Sequence, residues 1–360
     1  MNTKSLGGCG VPPPRKIPLR IPTREARQIS APNAPAFHGP RGVRAPRLQL
    51  AGITVQAWCC ALLLILALAP TALSAAAAPA ATPWQAGAAT RRLTPPGSIW
   101  LAGYANRTSP SNGVDLDVFA KALALDDTAG GRVVIVTLDL IGVPAALRAH
   151  VEAEGAKQFG LRPHEILLNA SHTHSGPQVT PDRMVLERNF RRAAKPEDIA
   201  AVNVFEGFLR QTVVELMGES LQAKAPARLE FSQARAGFAM NRRRPEPKGG
   251  HSNNPYPEGP VDHDVPVLKV TGADGKIRAL LFGYACHNTT LGGTRVSGDY
   301  AGHAQRDLEA AYPGATALFL TGCGGDQNPY PRGSMVPGQP TQALAEQHGR
   351  ALANAVSTAL

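Results

Sequence analysis

The sequence predicts a layered α/β domain, a mixed β-sheet with helices on its outer faces. Three observations carry this reading. Short β-branched apolar runs alternate with segments of helical spacing. Turn residues separate them. Polar residues gather where the apolar runs end. In chain order, Arg132–Leu140 (RVVIVTLDL) is the first clear strand and Ala146–Gln158 the first helix. Glu165–Ala170 (EILLNA) is the next strand, running into SHTHSGP. Asn203–Met217 is helical, with Val204, Phe205, Phe208, Leu209, Val213 and Leu216 expected on one buried face. Val265–Val270 and Ile277–Ala285 read as a hairpin across the turn Gly272-Ala273-Asp274-Gly275. Ala301–Ala311 and Thr341–Leu360 read as helices around the strand Ala315–Thr321, which opens into GCGGDQNP. Between them, Arg243–His263 is rich in Pro, Gly and Asn, and its length suggests a loop over a site.

Composition bounds the function. The chain has 360 residues, 43% hydrophobic and 18% charged, with 36 glycines lacking a period and 5 cysteines, which excludes collagen-like and disulfide-scaffold classes. A net charge of +10 would suit a nucleic-acid partner, but residues 1–50 hold nine basic side chains and one acid and so carry most of it. No nucleic-acid partner is expected. Residues 1–50 read as a basic, Pro-rich, disordered leader or a misassigned start. Residues 51–80 read as a signal peptide, because the apolar stretch Ala57–Ala69 is thirteen residues long and small residues follow it. Cleavage is expected between about Ala75 and Pro83, giving a periplasmic or secreted protein. The alternative is a membrane anchor at residues 57–69. Two cysteines remain beyond the leader, Cys286 and Cys323, and pairing between them stays open.

The polar residues at strand ends point to a site. Four apolar strands end in TLDL, NASHTHSGP, YACHNTT and LTGCGGDQNP, and loops held by strand ends are where α/β sheets bind ligands. His172 and His174 stand two apart after a strand, so both are expected on one face. Imidazole pairs of this kind suit zinc, and His287 after a second strand supplies a further ring. Gly176-Pro177 stops the strand. His150, His164, His251, His263, His303 and His348 lack partner spacing and are expected to face solvent, with His263, between Asp262 and Asp264, kept as a weaker candidate.

These residues resemble the neutral (non-lysosomal) ceramidase family, whose THTHSGP core is similar to Asn169–Pro177 here. The resemblance continues through Leu101-Ala102-Gly103-Tyr104-Ala105, Phe119–Ala122, Asn241-Arg242, Ala285-Cys286-His287, Ser297–Gly302 and Gly325-Asp326-Gln327-Asn328-Pro329, in family order. It implies a catalytic domain over residues 88–360 that cleaves the amide of an N-acyl sphingosine or related lipid-like substrate with a zinc-activated water. It further implies His172 and His287 as Zn2+ ligands. His174 and Arg242 would hydrogen-bond the scissile amide or its oxyanion, and Gly103 would line the substrate pocket. Asn328 stands at the family's active-site serine, where it would donate a hydrogen bond. The family's remaining ligands, a Glu and a Tyr, lie beyond this segment, and the chain ends at Leu360 after one more helix, as a C-terminally shortened domain would. Asp139, His174, Asp299 and Asp326 are therefore candidates for a third ligand. Transient contact with a membrane surface would accompany a lipid substrate. A non-catalytic ligand-binding relative is the competing reading; a metallophosphoesterase is disfavoured because its Asp-x-His, Gly-Asn-His-Asp and Gly-His-x-His elements are missing.

Overall fold

The computed structural model describes residues 84–180, 193–332 and 341–360. The leader, the hydrophobic segment and its cleavage window lie outside these residues. One eight-stranded sheet organises the described residues, with strands side by side in the order 316–321, 277–284, 264–272, 225–235, 84–92, 119–127, 132–138 and 166–170. Its strands are β1 (Trp84–Arg92), β2 (Phe119–Asp127), β3 (Arg132–Leu138), β4 (Ile166–Ala170), β5 (Ala225–Arg235), β9 (Asp264–Gly272), β10 (Ile277–Tyr284) and β11 (Thr316–Thr321). Short strands β6 (Ala239–Asn241) and β12 (Gln327–Pro329) pair with each other, as do β7 (Arg243–Pro245) and β8 (His251–Asn253). Among the described residues the helices are α1 (Ala145–Phe159), α2 (Pro196–Gln222), α3 (Asp299–Ala311) and α4 (Thr341–Ala359). The predicted mixed α/β layering is what the molecule shows. Within this sheet the two outer pairs, β3–β4 and β10–β11, are parallel and the others antiparallel.

Side-chain alternation shows how the sheet is buried. On β2, Ala120, Ala122 and Ala124 join the core beneath α1 and α2, while Leu123 and Leu125 join a second core. On β10, Leu280, Phe282 and Tyr284 face a core under α3 and α4, while Ala279 and Leu281 enter that same second core. The second core thus takes side chains from both halves of the sheet. The halves join through only three residue pairs between β1 and β5, so the sheet folds over there and buries its inner face against itself. The result is four layers, helix, sheet, sheet, helix. Strands buried on both faces read as continuous apolar runs, which is why β3, β10 and β11 were legible.

The outer strands meet at the site. The Asn169 side chain donates to the Thr321 carbonyl (3.2 Å) and accepts from the Thr321 amide (2.9 Å), tying β4 to β11. Lys121, buried on β2, reaches Glu309 of α3 (2.6 Å) and the Ala317 carbonyl of β11 (2.9 Å), a second link across the halves. The chain ends of β3, β4, β10 and β11 therefore open on one place.

Several expectations change. The β9–β10 hairpin forms as predicted, with Gly275 at φ +77°. The segment Arg243–His263 is not a plain loop; it contains the β7–β8 ribbon, pinned by the Asn254 and Tyr256 amides on the Arg242 and Asn241 carbonyls. On α2, Phe205, Leu209, Val213 and Leu216 are buried as expected, but Val204 and Phe208 are exposed. Thr212, Gly218 and Ser220 occupy buried positions instead, because the helix packs closely against its neighbours: a Cβ at Gly87 would meet the Ser220 carbonyl at 2.3 Å. His303 and His348 are buried, not solvent-facing; His348 stacks on Phe238 and its Nε2 donates to the Pro331 carbonyl (2.7 Å). Cys286 and Cys323 are both free thiols, the first buried and the second exposed.

Candidate metal centre and active site

The HxH segment does not continue β4. The Ser171 amide still bonds the Leu138 carbonyl (2.8 Å), but His172 then turns to φ +60°, a conformation most side chains avoid. That turn, rather than strand alternation, brings His172 and His174 together. The loop is fixed on all sides. Thr173 Oγ1 donates to the Ser297 carbonyl (2.9 Å), and the Ser297 amide donates back to the Ser175 carbonyl (3.0 Å). The chain leaves along Gly176-Pro177, bridged to Leu101. His287 follows β10, its amide donating to the Gln327 carbonyl (2.9 Å).

Three rings converge. His172 and His287 each turn Nδ1 to a backbone carbonyl, Ile141 at 2.7 Å and Gly324 at 2.6 Å, which fixes the Nδ1–H tautomer and turns Nε2 toward the site. The His174 and His172 Nε2 atoms lie 3.3 Å apart. Among the described residues, His172, His174 and His287 are the one group of His, Cys, Asp and Glu whose ligand atoms cluster, all within 4.8 Å of one another. Asp139 and Asp299 do not join them: both are buried, the first accepting from the Phe119 amide and Gln305, the second from the Leu291 and Tyr300 amides. Asp326 stays outside the group as well.

The donor set suits a divalent metal. Tetrahedral ligands about 2.0–2.1 Å from an ion stand about 3.3 Å apart, which is the separation of the His172 and His174 nitrogens. Ligand imidazoles must also be neutral. Burial, reinforced by His172, His287, Arg107 and Arg242, pushes His174 down to about 2. Burial, with Arg242 and His172 adding to it, pushes His287 down to about 4 despite its bond to Gly324. His174 Nδ1 is buried without a hydrogen-bond partner.

Arg242 borders the rings. Its Nη2 donates to His287 Nε2 (3.0 Å), so a metal held by His287 requires the guanidinium to turn from that nitrogen. Its Nη1 donates to Asn328 Oδ1 (3.2 Å), which also takes the Thr289 hydroxyl (3.4 Å). Burial, then the charges of Arg243 and Arg332, lower Arg242 to about 10, still a cation at neutral pH. Beside the rings a cavity of about 210 Å³ is lined by His172, His287 and the glycines 322, 324 and 325. A side chain at Gly324 would strike the Cys286 backbone at 2.5 Å, so the loop approaches this closely only as glycine. Gly103, at φ +100°, lies behind the His174 ring; a Cβ there would meet Cγ of the ring at 2.5 Å.

Two residues escaped sequence reasoning. Buried Arg107 donates to the carbonyls of Ala102 (2.5 Å), His174 (2.6 Å) and Gly293 (2.9 Å), clamping three loops around the rings. Tyr104 sets its ring edge against His174, with centroids 4.7 Å apart, and its hydroxyl donates to the Leu291 carbonyl (2.8 Å). Tyr104 lies within Leu101–Ala105, a segment that resembles the family, whereas Arg107 follows it in a stretch without periodicity that carries no signal.

The fold and the donor set define a layered α/β protein with a histidine centre able to hold a metal. A family model, neutral/alkaline non-lysosomal ceramidase, N-terminal, matches residues 84–331, and the chain belongs to that family. Among curated proteins it is 24% identical over 253 residues to neutral ceramidase A of Dictyostelium discoideum, covering 66% of this chain and 34% of that protein. It is likewise 24% identical to neutral ceramidase B of the same organism, covering 57% of this chain and 28% of that one. The fold is similar to the crystal structure of neutral ceramidase from Pseudomonas aeruginosa, with TM-score 0.62 and 20% identity over 77% of this chain and 45% of that one. A ceramidase complexed with C2 gives TM-score 0.63, at 20% identity, over 77% and 44%. The chain thus spans about a third of the curated relatives and under half of the solved ones.

Proposed function

We propose that the chain is an exported zinc-dependent amidohydrolase that cleaves the amide of an N-acyl sphingosine or a related N-acyl lipid. The observation that carries this is the convergence of three imidazoles beside the Arg242 guanidinium. His172 and His287 would hold the ion through Nε2. His174 would supply the third nitrogen, completing the number of protein ligands a catalytic zinc takes. That gives His174 a different role from the hydrogen bond to the amide which the resemblance implies. When bound, zinc supplies a Lewis acid that polarises the amide carbonyl and acidifies water.

The chain's own groups do the rest. Arg242 presents N–H donors toward the place where the carbonyl oxygen gains charge. Asn328 has its Oδ1 occupied by Arg242 and Thr289, so its amide N–H groups are the ones free to donate to substrate. Arg107 and Gly103 hold the His174 loop and ring in position. An apolar leader segment, Ala57–Ala69, supports export, and no helix among the described residues is long and apolar enough to cross a membrane.

Activity tests the reading directly. The purified full chain, supplied with zinc, is expected to release fatty acid from an N-acyl sphingosine, and His172→Ala to abolish the release. Arg242→Ala is expected to lower kcat by roughly 10²–10³ with zinc content little changed. A zinc-loaded chain that binds the lipid and releases nothing overturns the hydrolase in favour of a ligand-binding relative.

A further inference from the structure

Arg242 is not the only cation at the mouth of the site. A pocket bordered by Arg242 is lined also by Arg332, Asn253, Asn254, Asn328 and Tyr330. Arg243, the next residue after Arg242, donates through Nη2 to the Gly325 carbonyl (3.0 Å). Arg242 donates to that same carbonyl through Nε (3.1 Å) and Nη2 (2.9 Å). One oxygen, with two lone pairs, thus serves three donors from two guanidiniums, while each guanidinium carries five N–H groups. Among the described residues no carboxylate forms an ion pair with Arg242, Arg243 or Arg332. The strongest carboxylate influence on Arg242, from Asp326, is weaker than the repulsion from either neighbouring arginine.

Three like charges gathered without a counter-ion raise one another's energy, and the cost falls when an anion joins them. Guanidiniums are the side chains best shaped to hold a planar carboxylate or a phosphate, and the flanking asparagines add neutral donors. This collar differs in purpose from the oxyanion role of Arg242, which among these three arginines is the one that hydrogen-bonds an imidazole.

We infer that Arg243 and Arg332, with Asn253 and Asn254, form a subsite for an anionic group on the amine portion of the substrate. The cleaved compound would carry a carboxylate or phosphate near its acylated nitrogen, whereas a plain N-acyl sphingosine carries none. This inference rests on the hydrolase reading for the identity of the substrate but not for the binding of the anion.

The test uses the full chain with three substrates sharing one acyl group: an N-acyl amino acid, its neutral methyl ester, and an N-acyl amino alcohol phosphate. The free carboxylate or the phosphate is expected to exceed the ester in kcat/KM by about tenfold or more, as one or two charge-assisted hydrogen bonds provide. Which of the two anions is preferred distinguishes the sources. Arg243→Gln combined with Arg332→Gln is expected to collapse that ratio toward one, acting through KM. Equal kcat/KM for anion and ester, or a ratio the double variant leaves intact, overturns the subsite. Calorimetric binding of the N-acyl amino acid separates the two claims. Binding lost in the double variant without turnover of any substrate sustains the subsite and sinks the hydrolase. Turnover of the ester with no anion binding does the reverse.

Discussion

At the scale of single residues, the centre depends on backbone positions as much as on ligands. His172 reaches the other rings only because it accepts φ +60°, and the Arg107 clamp on the His174 carbonyl holds the next turn. Gly103 matters for what it leaves out. Gly103→Ala adds a methyl at 2.5 Å from the His174 ring in a conformation unfavourable to alanine. The variant is expected to remain folded and to bind zinc about 10–100-fold more weakly, as losses of supporting groups around metal ligands do. Competition with a chelator measures this, and unaltered affinity would show that His174 does not need its present place. The three converging histidines are legible from the HxH spacing and the second strand end. Arg107 was not, because a residue that acts through carbonyls of distant loops leaves no pattern in its own neighbourhood.

At the scale of elements, legibility followed burial. β3, β10 and β11 send side chains into two cores and are largely apolar, so their sequences announce them. β1 (WQAGAATRR) and β5 (APARLEFSQAR) are partly exposed and mix Gly, Gln and Arg into their length. Cross-strand pairing makes them strands, and that information lies in their neighbours. On α2, periodicity identified a helix but misjudged its face, since Gly218 lies against Phe159 and Ser220 is fully buried. A short 3₁₀ turn, Pro163–Glu165, precedes β4, and its Glu165 receives the Arg162 side chain (2.8 Å), the Arg162 amide (2.6 Å) and Arg132 (3.2 Å). Those contacts, Arg162 first, hold its carboxyl at about 2, below its ordinary 4.5. A depressed carboxyl stabilises the fold above its unfolded pKa, and that contribution is lost as pH falls through the folded value. The midpoint of thermal unfolding is therefore expected to drop between pH 4.5 and 2, and more shallowly in Glu165→Gln. Parallel curves for the two proteins would remove Glu165 from the account.

For the whole molecule, the decisive feature is closure of one sheet on itself. The sequence indicated the layers, but not that two parallel pairs at opposite ends of the strand order would meet, because such contact is non-local. Asn169 shows how narrowly this is secured: its amide makes both a donor and an acceptor bond with Thr321 on the other outer strand. Asn169→Ala is expected to cost about 1–3 kcal/mol, read from urea unfolding, and to weaken zinc binding at the same time, since the His172 loop leaves from β4 and the loop lining the ring cavity leaves from β11. A loss of stability without change at the metal would mean the loops are set independently of the closure.

The central claim is that three histidines from two loops, held together by that closure, bind one catalytic ion. Zinc content of the purified full chain after exhaustive dialysis tests it most directly. About one zinc per chain is expected for the wild type and almost none for His172→Ala combined with His287→Ala, with circular dichroism confirming that the double variant is folded. Undiminished zinc in that folded double variant would contradict the account.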